Sequence, residues 1–179
     1  MEYVDIYDDQ GRLTGKCRER HEDFAPGEYR LITSLWVIND NGRVLIQRRA
    51  ASLTFAPNLW TVSAGGSVRA GESSKQGCLR EAFEEIGLKL APGDIKLLGR
   101  EFKGGAIFDL YATVNDLAVE DAVLEPAEVS EVRWLDIDEV EALAVDGRFA
   151  YDCRADLAMV REYYNSHRVI DKHRIDKHR

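Results

Sequence analysis

Residues 66 to 88 contain Gly66, Glu72, Arg80-Glu81, Glu84-Glu85 and Gly87-Leu88 at spacings that a helix would gather into one acidic patch. On a helix advancing about 100° per residue, with Glu81 at zero, Glu84 falls at about −60° and Glu85 at about +40°. The three glutamates therefore share one face. Leu79, Ala82, Phe83 and Ile86 fall opposite them as an apolar stripe. Carboxylates this close raise one another's pKa. The i, i+4 pair Glu81 and Glu85 also weakens an isolated helix by about a few tenths of a kcal/mol. A hard divalent cation offsets that repulsion, and Mg²⁺ is the usual one where substrate phosphates complete its oxygen shell. Gly77, one turn earlier, leaves room for a ligand or is a tolerated weak spot.

The segment before the helix completes the device. Gly65-Gly66 follows the strand-like run Leu59-Trp60-Thr61-Val62-Ser63 and reads as the start of a loop, since two glycines permit a tight turn and close backbone approach to a ligand. Ser73 or Ser74 caps the helix. Glu72 and Arg80 are poorly placed as helical neighbours, but they pair if the loop folds back over the first turns. That pair reads as structural, orienting Arg80. A charge run is ordinarily a solvated face; here the glycines, the distal glutamate and the Arg-Glu-x-x-Glu-Glu core would all have to coincide.

These residues match G-x5-E-x7-R-E-U-x-E-E-x-G-U, with U aliphatic, so the segment resembles the Nudix box. The match covers 23 of 179 residues, and Ala82 is the one smaller substitute. The resemblance implies an α/β fold, a Nudix-type α/β/α sandwich with a mixed β-sheet. It implies Mg²⁺- or Mn²⁺-dependent hydrolysis of a diphosphate linked to another moiety, often a nucleoside diphosphate derivative. It further implies that Glu81, Glu84 and Glu85 bind metal, that Glu81 sometimes acts as base, and that the backbone at Gly65 and Gly66 contributes. A homodimer is compatible with the family's habit. Gln47-Arg48-Arg49 and Pro57-Asn58-Leu59-Trp60-Thr61 resemble isopentenyl-diphosphate isomerases. The isomerase cysteine position, however, holds Gly65, the histidine position holds Ser67, and no histidine lies between Glu22 and Ser166. Hydrolysis is thus favoured over isomerisation, and a complete box disfavours a non-catalytic nucleotide sensor.

The elements that must position these groups follow from pattern. Tyr3 to Tyr7 and Leu13 to Arg18 read as a hairpin, Arg30 to Ile38 and Val44 to Gln47 as strands around the turn Asn39-Asp40-Asn41-Gly42. Ser73 to Ile86 is the site helix, stopped by Gly87. Ile95 to Phe102 and Ile107 to Val114 form an antiparallel pair, Val129 to Leu135 a strand, and Ile137 to Ala144 and Arg154 to Ser166 helices. Residues 1–168 read as one domain, with 1–28 an N-terminal hairpin extension and 169–179 a charged, disordered tail that repeats Ile-Asp-Lys-His-Arg verbatim.

Outside the helix, Glu128 in an acidic loop is chosen as an extra acid, with Glu125 and Glu131 as rivals; Glu81 or Glu128 is the expected base. Arg48 and Arg49 are expected to hold phosphate, at most one of them pointing inward because they alternate along a strand. Trp36, Phe55 and Tyr111 are candidates for the leaving-group side, though core packing is their default. Net charge of −8 disfavours nucleic acid or an acidic membrane as partner, leaving a small-molecule diphosphate. No apolar run is long enough to span a bilayer. Cys17, Cys78 and Cys153 lack paired spacing, which points to reduced thiols and a cytoplasmic setting.

Overall fold

A computed structural model describes the backbone of residues 2–176 and the side chains of residues 2–168. The expectation for a tail at 169–179 lies outside the residues described in full. The strands are β1 (Tyr3–Tyr7), β2 (Leu13–Glu19), β3 (Arg30–Ile38), β4 (Val44–Arg49), β5 (Trp60–Thr61), β6 (Ala64–Ser67), β7 (Lys96–Lys103), β8 (Ala106–Val114) and β9 (Val129–Leu135). The helices are α1 (Ser74–Ile86), α2 (Ile137–Val145) and α3 (Arg154–Asp176).

β3 alternates strictly, and its two faces build two cores. Leu35 and Val37 pack with Cys78, Ala82 and Ile86 of α1. Trp36 and Ile38 pack with Val140, Leu157 and Val160 of α2 and α3. The result is an α/β/α sandwich around a mixed sheet, in which β3 and β8 run parallel and the other pairs antiparallel.

One irregularity makes the site. On the edge of β3 away from β8, β4 pairs only at Val37 and Ile38, while β6 pairs from Ile32 to Leu35. β3 and β4 splay apart, and Ser63 plugs the wedge. Its hydroxyl accepts from the Val37 N–H at 2.8 Å and donates to the Leu45 carbonyl at 2.6 Å. Beyond this plug the chain re-enters the sheet as β6. The expectation of a glycine loop at Gly65-Gly66 is therefore corrected: both are strand residues. A Cβ on Gly65 would lie 2.5 Å from the Thr33 carbonyl oxygen, so this close β3–β6 approach excludes any side chain.

Two helix-face expectations also change. Phe83 is exposed, its ring 5.4 Å from the Lys89 ammonium, because Cys78 and Ala82 already fill the sheet-facing side of α1. Gly77 is buried, and a Cβ there would meet Val68 at 3.0 Å. It permits close packing of α1 on the chain just after β6 and gives no room to a ligand. Among the described residues no helix is long and apolar enough to cross a membrane.

Candidate active site

α1 is anchored at both ends. Ser73 caps it by accepting from the Gln76 N–H, and Gln76 returns the bond to the Ser73 N–H, a full capping box. Gly87 ends it in the left-handed region at φ 72°, with its N–H on the Phe83 carbonyl. A Cβ on Gly87 would also strike Val123 at 2.8 Å. The 117–128 loop is stitched there by Val123 N–H to Ile86 O and Glu125 N–H to Glu85 O. This stitching brings Glu125 and Glu128 to the same cleft as the α1 glutamates.

That cleft encloses about 1620 Å³, and Gln47, Arg49, Gly65, Gly66, Arg80, Glu81, Glu84, Glu85 and Glu128 are among its lining residues. Glu85 is buried. Its Oε2 accepts from the Gly65 N–H at 2.8 Å and from Gln47 Nε2 at 3.0 Å. Burial, with the charges of Glu81 and Glu128 adding to it, pushes its carboxyl up to about 8 against the opposing pull of those two hydrogen bonds. Glu81 is also raised by burial, despite its bond from Arg80 Nη1 at 2.7 Å. A Cβ on Gly66 would stand 2.6 Å from the Glu81 carboxylate, so this glycine leaves the space that Glu81 occupies.

Arg80 organises the entrance. It donates two hydrogen bonds to Glu72, one to Glu81, one to Glu84 and one to the Ser67 carbonyl. Burial alone would lower its pKa; these acidic partners more than offset that and raise it. Arg69 is a residue the sequence reading missed. It grips Glu84 with two bonds of 3.1 and 3.2 Å and Glu2 with one of 2.8 Å. Glu2 is distant in sequence, so no local spacing announced this pair.

The remaining candidates separate. Arg49 lines the cleft, tied to the Phe55 carbonyl at 2.9 Å; Arg48 is tied to the Asn58 carbonyl at 3.0 Å and does not line it. Glu131 pairs with Arg133 outside the cleft. Trp36 is core, stacked on Phe149 at 6.0 Å. Tyr111 lies under α1 and donates to Ser74 Oγ. Phe55 is exposed and lines the cleft beneath Arg49. The apolar floor comes instead from Ile32, Phe108, Leu110 and Met159.

The donor set suits a hard cation by its chemistry: carboxylate oxygens, with Glu81 and Glu85 both desolvated by burial and only Glu81 paired to an arginine. Among the described residues no three acidic, His or Cys side chains converge into a ready-made cage. Glu84 is held at the rim by Arg69 and Arg80, while Glu81 and Glu85 lie against Gly66 and Gly65.

A family model for the NUDIX domain matches residues 28–153. An uncharacterized Nudix hydrolase of Listeria monocytogenes is 35% identical over 150 residues, 83% of this chain and 88% of the relative. An isopentenyl-diphosphate Delta-isomerase of Enterobacter sp. is 26% identical over 144 residues, 76% of this chain and 78% of the relative. The crystal structure of DR0079 from Deinococcus radiodurans superimposes with a TM-score of 0.73 at 22% identity, covering 90% of this chain and 98% of that one. The NUDIX domain of Shewanella oneidensis NrtR, solved with ADP ribose, gives 0.60 at 20% identity, covering 82% and 93%.

Proposed function

Because the chain belongs to the Nudix hydrolase family, we propose that it hydrolyses the phosphoanhydride bond of a nucleoside diphosphate derivative or similar X-linked diphosphate, with Mg²⁺ or Mn²⁺. One observation carries this reading. Glu81 and Glu85 are held, desolvated and charge-crowded, against the side-chain-free backbone of Gly65-Gly66 on the wall of an open cleft. Glu81 and Glu85 would hold the cation, and Glu84 would join them on leaving Arg69 and Arg80. When bound it would neutralise the diphosphate oxygens and make water more acidic.

The chain's own groups supply the rest. Gln47 and the Gly65 N–H fix the Glu85 carboxylate. Arg80 fixes Glu81 and ties it to Glu72. Glu81 is thereby engaged, whereas Glu128 lines the same cleft with no side-chain hydrogen bond among the described residues. Glu128 is the better-placed base. It takes the proton as the water oxygen bonds to phosphorus, and the leaving phosphate carries off the electron pair of the broken P–O bond. Arg49 offers a guanidinium to the phosphate oxygens.

Isomerisation has little support. It calls for a cysteine at position 65, where even a methyl group would collide with Thr33. The test is a substrate panel (dinucleotides, nucleotide sugars, coenzyme A, oxidised nucleotides, prenyl diphosphates) with and without Mg²⁺. Metal-dependent release of two phosphorylated products is expected. No turnover of any member, or double-bond migration in a prenyl diphosphate, would contradict the reading.

A further inference from the structure

Resting on that reading, the basic end of the cleft bears on which diphosphate is taken. Arg20, His21 and Arg30 line it there, and they also line an adjoining cavity of about 610 Å³ beneath the 20–30 loop. Arg30 is half-buried, 5.9 Å from the centre of the Phe24 ring, and its Nη1 donates to the Arg20 carbonyl at 3.2 Å. Among the described residues no carboxylate pairs with it. Its neighbours are provided for: Lys16 and Arg18 take Glu28, while Arg20 and Arg69 share Glu2. Burial, and the charge of Arg20 beside it, push the Arg30 pKa down. The chain has carboxylates in excess, with a net charge of −8, yet leaves this guanidinium without one. An unpaired charge held partly out of water is costly unless something else meets it.

We propose that Arg30, with Arg20, forms a second anion subsite of the cleft, built for a phosphomonoester carried on the organic part of the diphosphate substrate. Ser34 sits opposite Gly65 in the sheet, and Arg30 is four residues earlier on β3. At about 3.3 Å per residue that is about 13 Å along the strand. Neighbouring phosphates of one diphosphate stand much closer than this, so the scissile diphosphate does not fill both positions. Arg30 brings a guanidinium without a carboxylate and Arg20 one that it shares with Glu2, and a phosphomonoester carries about −1.5 to −2 near neutral pH and accepts forked hydrogen bonds.

Two substrate pairs test this, NADPH with NADH and coenzyme A with dephospho-coenzyme A, since each pair differs by one phosphomonoester. With Mg²⁺, the wild type should show higher kcat/KM for the phosphorylated member. Arg30→Gln should lower that ratio by about 10- to 100-fold, the worth of a hydrogen-bonded charge. An unchanged ratio overturns the subsite. A preference confined to UDP-glucuronate over UDP-glucose overturns the phosphate assignment. Calorimetric binding of adenosine 3′,5′-bisphosphate and of 5′-AMP to the metal-free wild type needs neither turnover nor a variant. Tighter bisphosphate binding supports the subsite, and equal binding overturns it. Bisphosphate binding without hydrolysis of any panel member would fault the reaction and leave the subsite standing; hydrolysis without a phosphate preference would do the reverse.

Discussion

Gly65 and Gly66 are neighbours, yet a methyl group added to each meets a different obstacle. On Gly65 it lies 2.5 Å from the Thr33 carbonyl oxygen, main chain fixed by the β3–β6 ladder. On Gly66 it lies 2.6 Å from the end of the Glu81 side chain. Gly65→Ala must therefore move backbone. Overpacking of this kind costs about 1–3 kcal/mol, and at about 2–4 °C per kcal/mol for a domain of this size the melting temperature should fall by roughly 2–12 °C. Gly66→Ala asks only the Glu81 carboxylate to retreat, by less than an ångström, while Arg80 holds it at 2.7 Å. A misplacement of about 1 Å at a reacting centre costs on the order of 100-fold, so turnover should drop by roughly 10- to 100-fold with little change in melting. The assays are a thermal melt and Mg²⁺-dependent phosphate release from whichever panel diphosphate the wild type cleaves. Full activity in Gly66→Ala, or a melting loss equal to that of Gly65→Ala, would show that the two glycines do not meet different obstacles.

Other expectations follow from the same geometry. Glu128→Gln should lower kcat by about 100-fold or more with KM nearly constant; an unchanged kcat shifts the base to Glu81. Arg80→Lys keeps the charge and loses the fork on Glu72, so chemical denaturation should read a loss of about 2 kcal/mol. The folded Glu85 carboxyl, at about 8 against an ordinary 4.5, favours the protonated form. In metal-free protein its contribution to stability is fully present below about pH 4.5 and is lost as pH rises through about 8. Glu85→Gln should flatten that part of the pH–melting curve, and a parallel curve would contradict the burial argument. Burial pushes the Cys78 and Cys153 thiols up to about 12, while Cys17 is exposed. A disulfide reagent should therefore label one thiol per folded chain and all three after unfolding.

Much of this was legible in the sequence because the interactions are local. The spacing of Glu81, Glu84 and Glu85, the Ser73 cap and the Gly87 stop all lie within one helix and its ends. The apolar run Arg30 to Ile38 announced a strand, although not that both its faces would be covered. What stayed hidden depends on partners distant in the chain. Nothing near Gly65 says that Ser63 wedges β3 from β4 and turns the glycines into a strand. Nothing near Arg69 points to Glu2, or near Glu85 to Gln47. Phe83 sits on the helical stripe by count, but the smaller Cys78 and Ala82 already fill the space against the sheet. Residue type alone points to Trp36, Phe55 and Tyr111, whereas the cleft floor depends on which face of β3 and β8 each residue occupies.

In the proposed reaction a cation and a diphosphate meet at Glu81 and Glu85 beside Gly65-Gly66. The most direct measurement is anomalous scattering from crystals soaked with Mn²⁺ and methylenebisphosphonate, an uncleavable diphosphate. The predicted result is a manganese peak bridging the bisphosphonate oxygens and these carboxylates. A peak elsewhere, or none while Arg80 keeps its grip on Glu81, would contradict it.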